Sequence, residues 1–128
     1  MTTDVVVAQT TVDGEPSARE LARGAVEARL AACAHVDGPL TAVYRWEGRT
    51  ATDTEWRISF KTTRARLPEL TRWLHEEHPY DLPQWLVLPT AAASDGYATW
   101  VASEVGDFGD LTDATDGTDP TDPTGAGD

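Results

Sequence analysis

From Glu55 to Thr62 the chain alternates without a break. Trp56, Ile58, Phe60 and Thr62 fall on one parity, and Glu55, Arg57, Ser59 and Lys61 on the other. Successive side chains of a strand point to opposite faces, so this segment reads as a half-buried strand with one apolar and one charged face. The stretch before it alternates more weakly, with Ala42, Tyr44 and Trp46 against Val43 and Arg45. Between the two, Glu47 to Thr54 contains Gly48 and several small polar residues and reads as the tip of a hairpin. A hairpin with one apolar face needs further layers to cover it, and that requirement organises the rest of the chain.

Val5-Val6-Val7-Ala8 is a continuous apolar run, the pattern of a strand buried on both faces. Gln9 to Glu15 makes a polar turn containing Asp13-Gly14, and Pro16 with the Ser17-x-x-Glu20 pair signals a helix start. A helix from Ser17 to Ala32 collects Ala18, Leu21, Ala22, Ala25 and Val26 on one face, with Arg19, Glu20, Arg23 and Glu27 opposite. A second helix spans Thr63 to His78, with Leu67, Leu70 and Leu74 as its stripe and Pro68 in its first turn. Pro79 closes it, because the residue before a proline disfavours helical geometry. Trp85-Leu86-Val87-Leu88 reads as another buried strand, stopped by Pro89. Ser94 or Asp95 then caps a last helix carrying Tyr97, Trp100 and Val101 on one face.

That order gives an α+β fold: a ferredoxin-like split βαββαβ sandwich, four antiparallel strands under two helices, with an additional C-terminal helix. The domain is predicted over residues 1–105. Residues 106–128 carry aspartate at every third position over much of their length and almost nothing to bury, which predicts a disordered acidic tail. The hairpin strands are longer than the Val- and Leu-rich ones and would overhang the sheet. An exposed edge bearing Tyr44, Trp46 and Trp56 invites pairing with another chain, so a homo-oligomer is expected.

The formal charge of −12 argues against nucleic acid, since no excess of positive charge is present to replace phosphate counterions. Seven of the acids lie in the tail, which has no base, so the predicted domain is only moderately acidic. The longest apolar runs are far short of a membrane span, and the first residues lack the pattern of a secretory leader. A single cysteine, Cys33, fits a reducing compartment and a cytoplasmic protein. Its natural place is as a small buried hydrophobe. With His35 two residues on, it could ligate a soft metal only if the two side chains converged. Lys61 is the one lysine among ten basic residues, a flexible point charge where the chain elsewhere uses the planar guanidinium fork.

LAAC at 30–33, YRWEG at 44–48, Glu55, the KTT ending at Thr63, HPY at 78–80, Pro83 and LVLP at 86–89 together resemble the CutA divalent-cation-tolerance family. The resemblance covers roughly residues 4 to 105. It implies a ferredoxin-like homotrimer built by hairpin strands, linked to copper and divalent-metal tolerance, with no catalytic reaction. It also implies a likeness to PII-type signalling trimers. Copper-binding members place a cysteine near the end of the first strand and a His-His pair before Pro-Tyr. The matching positions here are Gln9, Glu77 and His78. A neutral amide is a poor replacement for thiolate toward Cu(I). Members also commonly carry glutamate where this chain has Gln84.

The implied site is a cleft between subunits, lined by Tyr44, Trp46, Glu55, Lys61, Tyr80 and Gln84, with His78 and Glu77 as metal contacts for copper or another divalent cation. Glu55 and Lys61, on one strand face, would supply a charge pair, and the aromatic side chains stacking. The same residues equally suit a subunit interface. The expected function is therefore a non-catalytic metal or small-ligand binding and sensing trimer. A PII-like signalling or interaction scaffold that binds no metal, with an unidentified protein partner, is the alternative. Nothing matches a nucleophile elbow, a zinc triad or a phosphate loop, so no enzyme is expected.

Overall fold

The computed structural model describes residues 4–106. Seven elements follow one another: β1 (Val5–Val12), α1 (Glu15–Glu27), β2 (Cys33–Trp46), β3 (Arg49–Thr63), α2 (Leu67–Glu77), β4 (Leu86–Pro89) and α3 (Asp95–Glu104). The strands form one antiparallel sheet in the order β2-β3-β1-β4. This is the predicted α+β sandwich with its split βαβ connections. The expected acidic tail, from residue 107 onward, lies outside the described residues.

Alternation along β3 decides where the core sits. Ile58, Phe60 and Thr62 are fully buried on the face that receives α1 and α2. Ile58 and Phe60 meet Ala8 and Val12 of β1, Ala18, Leu21 and Ala25 of α1, and Leu70 and Leu74 of α2. The other parity faces away from those helices. α3 covers one end of that second face, where Val101 and Val105 pack on Val5 and Ala32. The remainder of the second face is open in the single chain.

Several expected boundaries move, each for a local reason. α1 begins at Glu15, with Gly14 rather than Ser17 at its N-cap and Pro16 in its first turn. It stops at Glu27 because Arg29 adopts a left-handed φ of 61°. That turn lets the Arg29 guanidinium donate to the carbonyls of Ser103 and Glu104, holding the C-terminal end of α3. The hairpin tip is only Glu47-Gly48, not the eight residues expected. Their φ values of 51° and 78° suit the two-residue turn that matches strand twist. Residues 49–54 consequently continue β3, paired with 41–46 of β2.

Two burial expectations are corrected. Trp56 does not sit on an exposed edge: its indole lies over Gly38, at the β2 irregularity between Asp37 and Leu40, and packs against the main core. β4 is not a buried strand. It is the sheet's outer edge, with Leu86, Val87 and Leu88 at 53%, 38% and 44% exposure, so its apolar run faces solvent in the single chain. Periodicity could not separate these cases, because a continuous apolar run marks contact with something without saying what.

Candidate functional site

The end of the sheet next to the hairpin gathers most of the predicted site. Tyr44 of β2 lies diagonally across from Asp53 of β3, and its phenol donates to the Asp53 carboxylate. That bond, with burial and the Asp53 and Glu55 charges, raises the Tyr44 pKa above the ordinary phenol range. Tyr80, in the connector after α2, is pushed up to about 12, first by burial and then by the carboxylates of Asp13, Glu55 and Asp53. Both phenols therefore stay protonated donors at any physiological pH.

His78 stands at the C-cap of α2, immediately before Pro79, and is 7% exposed. Its Nε2 lies 2.9 Å from the Thr11 carbonyl oxygen, and its Nδ1 lies 3.1 Å from the Tyr80 backbone nitrogen. A carbonyl can only accept and an amide N–H can only donate, so Nε2 carries the proton and Nδ1 the lone pair. Burial lowers the His78 pKa, against the opposing pull of the Thr11 bond. The ring is thus a neutral brace between β1 and the connector, with Tyr80 edge-on at 4.8 Å. Gln84 joins the same group, accepting from the Thr11 hydroxyl at 3.4 Å.

His78 and Gln84 therefore meet at Thr11, while Tyr44 and Glu55 act on Tyr80, next to His78, with Asp13 and Asp53 as members the sequence reading did not name. Asp53 could have been found by carrying the alternation two residues back from Glu55. Asp13 carried no such signal, because the β1–α1 turn places it.

Lys61 does not pair with Glu55. The two share a strand face but stand six residues apart on β3, roughly 20 Å at the rise of a strand. The Lys61 ammonium lies instead 2.6 Å from His35 Nδ1. Trp46 is at the hairpin tip, 53% exposed and two residues beyond Tyr44 on the same strand face. Nor do the three positions matched to a copper site form a ligand set. His78 has both ring nitrogens engaged, the Gln9 amide donates to Ser59 Oγ at 3.1 Å, and Glu77 is exposed at the end of α2. Among the described residues, no three His, Cys, Asp or Glu side chains are grouped to hold a metal ion. None of the described helices is long and apolar enough to cross a membrane.

Comparison with known proteins bears on the whole arrangement. Residues 6–104 match the family of the CutA1 divalent ion tolerance protein. The divalent-cation tolerance protein CutA of Thermus thermophilus is 38% identical over 96 residues, covering 75% of this chain and 93% of that protein. Protein CutA of Mus musculus is 35% identical over 97 residues, and the match spans 76% of this chain but only 55% of the mouse protein. Among solved structures, CutA from Synechococcus elongatus superposes with a TM-score of 0.79 at 43% identity, over 83% of this chain and 95% of that one.

Proposed function

Because this chain belongs to the CutA1 divalent ion tolerance family, we propose that it acts by binding rather than by catalysis, as a cytoplasmic homotrimer with a small-ligand cleft around Tyr44, Glu55, Tyr80, His78 and Gln84. Lys61 would complete the cleft only from a neighbouring subunit. The observation that carries this reading is the protonation pattern. Two phenols are held as donors and one imidazole is held neutral, beside the carboxylates of Asp13, Asp53 and Glu55. No member of that group is a nucleophile paired with a base, so the arrangement suits recognition better than turnover.

Three carboxylates, of Asp13, Asp53 and Glu55, outweigh the one guanidinium nearby, that of Arg57, which is already paired with Asp37, and this favours a positively charged ligand. A copper or other divalent ion at His78 would first have to displace the Thr11 carbonyl or the Tyr80 N–H. We therefore place the cation-tolerance role of this chain in a cleft that recognises a ligand as a whole, and not in direct ligation by His78 and Glu77.

Thermal melting in spermidine, Zn(II) and Cu(II), with mass measured in the same preparation, tests both parts. A trimer whose Tm rises with spermidine, and ceases to rise in Glu55→Gln, is the expected result, because a ligand selective for the folded state raises stability. A rise with Zn(II) or Cu(II) alone, lost in His78→Ala, would overturn the organic-cleft reading in favour of a metal site. A trimer stabilised by none of them would favour the scaffold.

A further inference from the structure

We propose that Asp13-Gly14 is a covalent modification site, at which the folded chain isomerises its own aspartate to isoaspartate and so re-shapes the joint between β1 and α1. The chain contains no asparagine, so any isoaspartate in it arises from aspartate. The reaction is fastest where glycine follows, because a nitrogen with no neighbouring Cβ is open to attack. Among the described residues that pair occurs three times, at Asp13-Gly14, Asp37-Gly38 and Asp95-Gly96. A further pair, at 116–117, lies outside them.

Local structure separates the three. Ring closure requires the aspartate Cβ and the next nitrogen to come syn about the Cα–C bond, and helical and extended backbones both hold them apart. Asp95 is the first residue of α3 and has the helical backbone. Asp37 lies within β2, opposite Arg57 in the register, and its carboxylate is 3.2 Å from the Arg57 guanidinium. The Trp56 indole also covers Gly38. Asp13 belongs to neither kind of element, since β1 ends at Val12 and α1 begins at Glu15, and its side chain is exposed. Gly14 is the N-cap of α1, a position whose N–H has no acceptor within the helix. Nor does the fold require glycine there. Its φ of −147° is open to any residue, and a Cβ would meet only Pro16 Cδ at 3.8 Å, an ordinary contact.

The chemistry conserves every atom. The Gly14 nitrogen attacks Asp13 Cγ, and its N–H proton leaves with the carboxyl hydroxyl as water, closing a five-membered imide. Solvent water then opens the imide at either carbonyl. One opening restores aspartate. The other routes the main chain through Cβ and leaves the former backbone carbonyl as a free carboxylate. Nothing is oxidised or reduced, and the mass is unchanged. The converted turn is one backbone atom longer, and the Asp13 charge moves from its place beside Tyr80 and His78, both of which feel it. The isomerisation follows from the β1–α1 turn and does not depend on the reading given to the cleft.

The test is prolonged warm incubation of the full-length protein at mildly acidic pH, then trypsin digestion and electron-transfer mass spectrometry, which distinguishes the two linkages. Cleavage after Arg19, Arg29 and Arg45 puts Asp13 and Asp37 on separate peptides, and fragmentation locates isoaspartate in the remainder. In the folded protein isoaspartate should accumulate at 13 and not at 37 or 95; in denaturant it should form at all three. Gly14→Ala should lose the product with its Tm unchanged. Asp13→Asn should close the same imide with loss of ammonia and form isoaspartate faster than the wild type, a gain that misfolding would not confine to this position. A folded wild type that keeps Asp13 intact, equal conversion at 13, 37 and 95, or accumulation undiminished in Gly14→Ala would overturn the proposal.

Discussion

His78 illustrates how a residue's chemistry depends on what its atoms already touch. As a histidine beside Pro79 it reads as a ligand. Bonded at both ring nitrogens to Thr11 and Tyr80, it is a structural joint whose loss would separate β1 from the connector. The tyrosines offer a sharper test at this scale. All three of the chain, Tyr44, Tyr80 and Tyr97, have raised pKa values, the latter two at about 12. Phenolate absorbance of the native protein should therefore show Tyr80 and Tyr97 ionising near 12, well above the ordinary midpoint near 10. In denaturant all three should ionise at that ordinary midpoint. The sign of the linkage follows: a pKa raised on folding contributes stability that is complete below about 10 and is lost as pH climbs toward 12. Two native tyrosines titrating at about 10 would mean that the Tyr80 or the Tyr97 environment is wrong.

At the scale of elements, the β2–β3 hairpin depends on two glycines for different reasons. Gly48, at φ 78°, faces open space, so its requirement is conformational. Gly38 is a matter of contact: a Cβ there would stand 2.2 Å from Trp56 Cδ1. Gly38→Ala must expel the indole from its place against the core, at a cost of about 1–3 kcal/mol. Denaturant unfolding followed by tryptophan fluorescence should show this loss. In a Trp56→Leu background the same change should cost much less, since the pair shares one contact. Equal losses in both backgrounds would place the strain elsewhere. The same hairpin shows what alternation can convey. The paired faces of Glu55–Thr62 emerge as read, whereas the two-residue tip was hidden because Thr50, Thr52 and Thr54 resemble loop residues in composition and are strand residues by pairing.

For the molecule as a whole, the single chain leaves apolar side chains uncovered at several places, two of them on the sheet's hairpin tip and outer edge. Trp46 is exposed at the hairpin tip, and Leu86, Val87 and Leu88 at the outer strand. Unpaired edges of this kind are what assembly covers. In the proposed trimer, Trp46→Glu should yield monomers by light scattering, and an unchanged mass would count against assembly through the hairpin. Deleting residues 107–128 should leave both the number of subunits and the melting temperature as they were, since an Asp-rich segment with almost no apolar residues has little to bury. A large fall in either would mean that the tail packs.

The sequence by itself determined the order of elements, the inward parity of β3 and the family, and through that resemblance it nominated Tyr44, Glu55, His78, Tyr80 and Gln84 as site residues. Each follows from local periodicity or from short motifs, and local rules survive folding because backbone geometry enforces them. Only the tertiary structure decided that Lys61 serves His35 and not Glu55, that Trp56 is core and β4 is edge, and that Asp13 and Asp53 complete the cluster. Those outcomes depend on register and strand order. Same-face parity says which side of a sheet a residue leaves, but pairing decides which residue, on which neighbouring strand, stands beside it.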